Sequence, residues 1–418
     1  MNQIKSIKGT HDILPDNSIK WQYLEQIVHN VCKQFGYREI RTPIFEETKL
    51  FSRGVGKETD IVSKEMYSWK DRDGSSLTLR PELTAAVARS YIQHNLGVQS
   101  PAQKLYYIGP LFRRERPQKG RQRQFHQFGV ETFGSLYPEQ DAEIIALARQ
   151  ILSEFGLGNN NILHLNSIGS PDCRSAYKNA LKDFIRPNLN KFSTLSQHRY
   201  ETNTLRILDT KAENEKKILQ DAPIISDYLT DEDKIHFDSV ISFLNAMNIP
   251  FSFNPRLVRG LDYYSRTVFE FTSSSLGAQD ALIGGGRYDG LVETLGGKAT
   301  PAVGFAAGME RFFIALEHNR NTELDTFASP DIYFICINKN GLALALKLCK
   351  NLRKIGKNVV MDSLRRSIKA QLREANKSGA KYALILGDEE ILSNTIIIKD
   401  LKKGEQSTVE QTSLLEKL

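Results

Sequence analysis

Leu111-Phe112-Arg113-Arg114-Glu115-Arg116, continued by a basic stretch to Arg123 and an alternating segment from Phe125, decides how this chain folds. Residues 105–112 and 125–133 have strand character, and the cationic segment between them makes a hairpin loop. From Leu111 to Arg123 six basic residues face one acid, Glu115. A solvated hairpin tip would account for a charge run alone. A second arginine-ended motif, Gly304-Phe305-Ala306-Ala307-Gly308-Met309-Glu310-Arg311, lifts it above that. Period-two alternation puts Gln127, Gly129 and Glu131 on one face of the second strand, with His126, Phe128, Val130 and Thr132 on the other. An amide, a carboxylate and a missing side chain form a polar notch that suits a small hydrogen-bond donor. A solvent-facing strand satisfies the same pattern.

Further strands are expected over 37–44, Ser76–Leu79 and 267–272, and the short turns between neighbours favour an antiparallel sheet. Pro43 would confine the first of these to an edge or an interface. Before it, Asp16 or Asn17 can cap a helix carrying Leu24, Ile27, Val28, Val31, Cys32 and Phe35, which Gly36 stops. Residues 170–248 turn polar and helical, and read as an insertion within the N-terminal domain (about 170–250). The polar stretch 318–330 reads as a linker. Beyond it, strands over 332–337, 358–361 and Tyr382–Leu386 alternate with helices over 342–355 and Ile368–Lys377, a small α/β domain. The expected domains are therefore 1–325 and 330–418, in an α+β chain.

At 418 residues the chain can bury a core in two or three domains. No apolar run approaches the ~20 residues of a membrane span, and the N-terminus lacks the apolar stretch of a secretion signal. Cytoplasmic residence, with no membrane partner, is the expectation. Four scattered cysteines (Cys32, Cys173, Cys336, Cys349) form no Cys-x-x-Cys pair, and no His-Glu-x-x-His pattern occurs, so no protein-held metal is expected. The net charge of +7 is uneven. Residues 331–418 carry sixteen Lys and Arg against ten Asp and Glu, a footprint suited to nucleic acid or simply a soluble basic surface.

Three more clusters bear chemistry. Arg113 ends a strand and can fork onto phosphate oxygens, or pair with Glu115. Glu82 and Thr84 follow a strand end and can offer oxygens to an ammonium group, or merely charge and cap a helix start. Arg259-Gly260-Leu261-Asp262-Tyr263-Tyr264 suits a small zwitterion, with a core aromatic pair as the plainer reading. Ile283-Gly284-Gly285-Gly286-Arg287-Tyr288-Asp289-Gly290 allows close backbone approach but is not a dinucleotide fingerprint. No Gly-x-x-x-x-Gly-Lys-Ser/Thr phosphate loop occurs. In 304–311, small residues let the start of a helix over 312–318 lie against a sheet.

Taken in order, these segments resemble the histidine–tRNA ligases, class II aminoacyl-tRNA synthetases. The helix–strand ending at Pro43, the Phe112-Arg113-Arg114-Glu115 hairpin and the Gly308-Met309-Glu310-Arg311 helix start match the three class motifs. Residues 257–264 and 281–290 resemble the two histidine-specific segments. Each motif is modest alone; five in order are highly specific, and the likeness runs end to end. It implies a class II antiparallel catalytic domain with a helical insertion and a C-terminal α/β anticodon-binding domain. The implied reaction activates L-histidine with ATP and Mg2+ and transfers it to tRNA(His). By the same resemblance, Glu82, Thr84 and Gln127 would hold the histidine ammonium group, and Glu131 and Tyr264 the imidazole, with Tyr263 and Tyr288 shaping the pocket. Arg259 would contact the carboxylate and α-phosphate, and Arg113 the α-phosphate; these two are the catalytic pair. Glu115, Arg121 and Arg311 would serve ATP, while Arg116, Gln118 and Arg123 would meet the tRNA acceptor end. Leu83 departs from the glycine often found there. A homodimer through the first class motif and a tRNA-clamping insertion are further expectations. Regulatory, histidine-sensing paralogues share the fold but typically lack the anticodon domain and the arginines that this chain keeps.

Overall fold

Eleven strands build the N-terminal part of the structure, a computed structural model that describes residues 3–56, 59–159, 161–276, 280–316, 327 and 329–418. They are β1 (Arg38–Glu39), β2 (Phe45–Glu47), β3 (Tyr67–Lys70), β4 (Ser76–Leu79), β5 (Gln103–Phe112) and β6 (Gln124–Phe133), then β7 (Ile162–Ser167), β8 (Ser252–Phe253), β9 (Ser265–Thr272), β10 (Ala281–Arg287) and β11 (Ala302–Gly308). Eight of them form one sheet in the order β1-β5-β6-β11-β10-β9-β7-β8. Its six-stranded centre is antiparallel, and only the outermost pairs, β1 with β5 and β7 with β8, run parallel. The remaining three make a small sheet, β2-β4-β3.

Two glycine-rich segments to which the sequence assigned no strand, 283–290 and 304–311, contribute central strands. β10 and β11 pair over five residues, Ile283 with Ala307 through Arg287 with Val303. Glycine is a poor strand former in isolation, and what keeps it here is lack of room. A Cβ on Gly285 would meet the Gly304 carbonyl, Phe305 Cβ at 2.6 Å and Phe269 Cζ at 2.8 Å. One on Gly304 would strike the Glu131 carboxyl and the Val130 carbonyl. The helix that follows is Met309–Leu316; the remainder of the expected 312–318 helix, and most of the 318–330 linker, lie outside the described residues.

Beneath the sheet, helices Pro15–Gln34 and Pro138–Glu154 bury Leu24, Ile27, Val28 and Val31, and Ile144, Ile145, Ala148 and Ile151. Neither Asp16 nor Asn17 caps the first helix. Its N-cap is Leu14, with no side-chain cap; Pro15, whose missing N–H costs nothing there, begins it, and Asp16 lies in the first turn. The expected strand over 37–44 is also split. Only Arg38 and Glu39 pair with β5, and pairing resumes at Phe45 in the other sheet. Between them the Arg80 guanidinium takes the Thr42 carbonyl at 2.7 Å and the Pro43 carbonyl at 3.2 Å, in place of a ladder.

The helical insertion leaves the sheet after β7 and returns at β8. It contains helices Pro171–Ile185, Thr194–Thr202, Glu213–Leu219 and Asp231–Ala246. Ser193 and Thr230 cap two of these through their side-chain oxygens.

Contacts divide the chain into Met1–Arg320 and Asn321–Leu418. In the second unit, β12 (Ile332–Cys336), β13 (Val359–Met361) and β14 (Tyr382–Leu386) run parallel, with helices Leu342–Lys354 and Ile368–Lys377 between them. Two strands not anticipated, β15 (Thr395–Asp400) and β16 (Gln406–Glu410), extend the sheet antiparallel in the order β13-β12-β14-β15-β16. Parallel strands Ile332–Cys336 and Tyr382–Leu386 are buried and near-continuously apolar, as a two-sided sheet requires.

The crowding at Gly285 has a direct consequence. Gly285→Ala is expected to destabilise the N-terminal unit by ~1–3 kcal/mol through overpacking. Chemical denaturation checks this; an unchanged midpoint would mean that β9 and β11 do not close on the β10 backbone.

Candidate active site

One cavity of about 240 Å³ opens on the face of the sheet where Gln127 projects. Glu82, Leu83, Thr84, Tyr107, Arg113, Glu115, Arg121, Gln127, Arg259, Tyr263, Tyr264 and Arg311 line it. These come from five separated stretches of chain, so the residues singled out in sequence are brought together. Glu131 lies behind that lining, bonded to Thr84 and Tyr107, and Tyr288 joins it through Glu131. Arg116, Gln118 and Arg123 lie outside the lining, on the loop joining β5 to β6. There Gln118 and Arg121 exchange backbone hydrogen bonds, and the Arg123 N–H donates to the Gly9 carbonyl at 2.7 Å.

Glu131 is almost fully buried, 1% exposed. Thr84 Oγ1 donates to its Oε1 at 2.7 Å, Tyr107 OH to the same oxygen at 3.1 Å, and Tyr288 OH to Oε2. β-register explains the convergence: Glu131 pairs with Gly304 on one side, and Gly129, two residues before it, pairs with Tyr107 on the other. Burial is the largest influence on Glu131 and pushes it up to about 8, although the Tyr288 and Thr84 hydroxyls oppose the rise. Tyr107 was not anticipated. Extending the alternation rule to 103–112 would have found it, because Tyr107 shares its face with Leu105 and Leu111.

Glu82 shows the plainer of its two readings, a charge at a helix start, and it also lines the cavity. Its oxygens accept the Ala85 N–H at 3.0 and 3.3 Å, closing the start of helix Thr84–Gln93, and the same carboxyl faces the cavity. Burial raises it to about 7, against the helix N–H groups and Arg113. Leu83 packs into the core at 2% exposure and still borders the cavity.

Three guanidinium groups meet at the other end. Arg113 Nε donates to the Pro81 carbonyl at 2.9 Å, its guanidinium lies 5.1 Å above the Phe125 ring, and Glu115 is 3.8 Å from Nη1. Glu115 also pairs with Arg121 at 3.2 Å. Arg311 Nη1 donates to the Ala281 carbonyl at 2.8 Å, and Nε to Gly120 at 3.4 Å. Arg259 lies across Gly284, whose missing Cβ leaves room for the guanidinium, and pairs with Glu270. Its Nε is buried without a partner. Glu270 escaped the sequence reading, since a lone acid in an apolar strand carries no pattern.

The electrostatics are asymmetric. Burial lowers Arg311 from the usual arginine value, and repulsion from Arg121 and Arg113 lowers it further. Burial, the largest single influence, works against Arg259, yet Glu270 together with Tyr264, Asp209 and Tyr263 outweighs it and the guanidinium is raised. Positive charge is thus held together at a cost that an anion would relieve. Among the described residues no group of three or more His, Cys, Asp or Glu could hold a metal ion.

The comparisons decide the family. The family model for histidyl-tRNA synthetase matches residues 9–312, and that for an anticodon binding domain matches 331–418. The chain belongs to the histidyl-tRNA synthetase family. It is 47% identical over 423 residues to the histidine–tRNA ligase of Chloroherpeton thalassium, spanning 100% of this chain and 98% of the relative. Against the histidine–tRNA ligase of Caldanaerobacter subterraneus subsp. tengcongensis the identity is 44% over 405 residues, 97% of each chain. Among solved structures, apo Staphylococcus aureus histidyl-tRNA synthetase superposes with a TM-score of 0.81 at 38% identity, covering 99% of each chain. Within the synthetase family the large antiparallel sheet is the catalytic domain, and the second unit is the anticodon-binding domain.

Glu131 provides a pH test. Its folded value of about 8 lies above the ordinary 4.5, so the stability it contributes is complete below pH 4.5 and is lost as pH rises through 8. Glu131→Gln mimics the protonated form throughout. The stability of the natural chain relative to this variant should therefore fall between pH 4.5 and 9, as thermal unfolding would record. Parallel profiles would mean that the carboxyl is ionised in the folded state.

Proposed function

We propose that the chain activates L-histidine with ATP to histidyl-adenylate and then transfers the histidyl group to the 3' end of tRNA(His). The observation carrying this reading is that Arg113, Arg259 and Arg311 share one cavity with the buried Glu82–Thr84–Glu131 cluster. Cation density lies at one end, and groups able to recognise an amine and an imidazole at the other.

In the first step a carboxylate oxygen of histidine attacks the α-phosphorus of ATP. The new O–P bond forms as the bond to the β-phosphate breaks, and pyrophosphate leaves. Charge accumulates on phosphoryl oxygens, so fixed guanidinium groups stabilise the transition state better than the ground state. Arg113 and Arg259 take the α-phosphate, and Arg259 also orients the attacking carboxylate. Arg311, Arg121 and Glu115 hold the rest of ATP. In the second step the terminal ribose hydroxyl of tRNA attacks the acyl carbon, AMP departs, and the hydroxyl proton is released. No protein nucleophile is needed, in keeping with buried, raised thiols at Cys32 and Cys173.

Mg2+ takes one or two carboxylates plus substrate phosphates rather than an all-protein cage. Glu115 and Glu270, the carboxylates paired with Arg113 and Arg259, fit that need, and the ion would neutralise the leaving phosphates. At the other end, Glu82, Thr84 and Gln127 hold the substrate ammonium, Glu131 and Tyr264 address the ring, and Tyr263 and Tyr288 wall it. A site that pairs every polar atom of the ring rejects look-alikes by ~10⁴–10⁵-fold.

Arg116, Gln118 and Arg123 meet the acceptor end of tRNA, and the basic second unit meets the anticodon stem-loop. A second copy of the chain covers the small sheet, where Ile44, Phe45 and Trp69 stand 40–53% exposed and the Phe45 and Trp69 rings touch at 6.1 Å. No helix among the described residues is long and apolar enough to cross a membrane. No observation favours a regulatory paralogue. The likeness to an ATP phosphoribosyltransferase regulatory subunit/histidyl-tRNA synthetase of Bacillus halodurans, at 20% identity, speaks to fold alone.

Histidine-dependent exchange of labelled pyrophosphate into ATP tests the first step; exchange independent of histidine would overturn the assignment. Arg113→Ala should lower kcat for exchange by about 10²–10³-fold. Glu131→Ala should abolish histidine activation far more than it weakens ATP binding, and equal losses for both ligands would contradict its role. Affinity for tRNA should fall steeply with salt, giving a straight line in log K against log [salt]; a flat response would remove the phosphate contacts.

A further inference from the structure

The stretch that carries Arg259, Tyr263 and Tyr264 has neither helix nor strand between residues 254 and 264. No ladder fixes it, yet four of its side chains, Arg259, Leu261, Tyr263 and Tyr264, line the cavity. The catalytic body supplies a few ties. Asn166 Nδ2 donates to the Leu257 carbonyl at 3.0 Å, and the Asp262 N–H reaches the Val55 carbonyl at 3.4 Å.

Stronger ties come from the helical insertion. Arg206 Nη1 donates to the Gly260 carbonyl at 2.7 Å. Asn203 Nδ2 donates to Asp262 Oδ1 at 2.6 Å. Arg174, from the first insertion helix, donates to the Tyr264 carbonyl at 2.6 Å. One residue into β9, Arg266 adopts a positive φ of 49° and turns its guanidinium to Asp233 of the last insertion helix, at 3.0 Å. Arg206 and Arg199 also meet Asp60, at 3.7 and 3.4 Å, on the turn that precedes Ile61 of the cavity lining.

Every second residue from Gly260 to Arg266 is therefore gripped by an insertion side chain. The grips fall on carbonyls and on Asp262 and Arg266, leaving Tyr263 and Tyr264 free to face the cavity. We infer that the insertion is a structural wall of the amino-acid site, with Arg174, Asn203 and Arg206 as positioning residues for Arg259, Tyr263 and Tyr264. This goes beyond a clamp on tRNA, because it assigns the insertion a part in the first chemical step, where no RNA is present. It rests on the proposed function and adds a claim of its own. Carbonyls bonded to a charged guanidinium hold their position more firmly than ones bonded to water alone, and ångström-scale errors in alignment cost about 10²-fold in rate.

The test is pyrophosphate exchange without tRNA, with rates normalised by active-site titration. Arg206→Ala and Arg174→Ala should each raise the KM for histidine by about tenfold or more and lower kcat, with the KM for ATP within about twofold of the natural chain. Arg206→Lys, which keeps one donor for Gly260, should recover most of the histidine KM. Should Arg206→Ala fail to fold, Asn203→Ala, which removes a single exposed hydrogen bond, should shift the histidine KM in the same direction. Unchanged kinetic constants with a reduced titre of active sites would make these residues merely structural and overturn the inference. So would a defect confined to tRNA charging, or equal rises in both KM values. Absence of histidine-dependent exchange in the natural chain would instead overturn the proposed function.

Discussion

A carboxylic acid buried in the middle of a sheet is the constraint on which the rest of this structure depends. Glu131 can occupy that place because three hydroxyls, from Thr84, Tyr107 and Tyr288, bond its two oxygens, and because Gly304 beside it has no Cβ to fill the space. An unpaired buried carboxyl would be costly; a fully bonded one rigidifies its surroundings. Each partner belongs to a different element: a helix start, β5 and the turn after β10. Satisfying one side chain therefore fixes the relative placement of three segments and shapes the pocket.

At the opposite end the organisation is reversed. Instead of a satisfied acid there are cations kept close together, with Arg311 disfavoured by Arg113 and Arg121. Backbone carbonyls orient Arg113 and Arg311, and two acids, Glu115 and Glu270, offset only part of the charge of Arg113, Arg121, Arg259 and Arg311. Preorganised cations that need no rearrangement when charge develops are the form of catalysis expected for phosphoryl chemistry. The buried Arg287–Asp141 pair, with Arg287 Nη1 also on the Ser135 carbonyl at 2.8 Å, anchors the residue next to Tyr288 to the sheet's underside helix.

How much of this was legible in sequence varies with the range of the forces involved. Alternation alone placed Gln127, Gly129 and Glu131 on one face, because a strand's side-chain period is local. Charge spacing marked the β5–β6 loop, and the polar helical character of 170–248 marked the insertion. The glycine strands β10 and β11 were missed because local propensity opposes them; only close neighbouring backbones explain them. The capping expectation at Asp16 failed because Pro15 starts the helix one position earlier. Arg287 with Asp141, and Arg259 with Glu270, are pairings that no spacing rule reaches, the first joining residues 146 apart. Nor could sequence say that Arg174, Asn203 and Arg206 reach back to the loop at 260–264.

All of this reduces to one geometric assertion: a single ligand spans a buried, hydroxyl-bonded acid at one end and a cluster of guanidinium groups at the other. A crystal structure with a non-hydrolysable histidyl-adenylate analogue measures that directly. The account requires the imidazole to lie against Glu131 and Tyr264, and the phosphate-like group within hydrogen-bond reach of Arg113 and Arg259. An analogue bound with its ring turned toward the arginines, or seated outside this cavity, would contradict it.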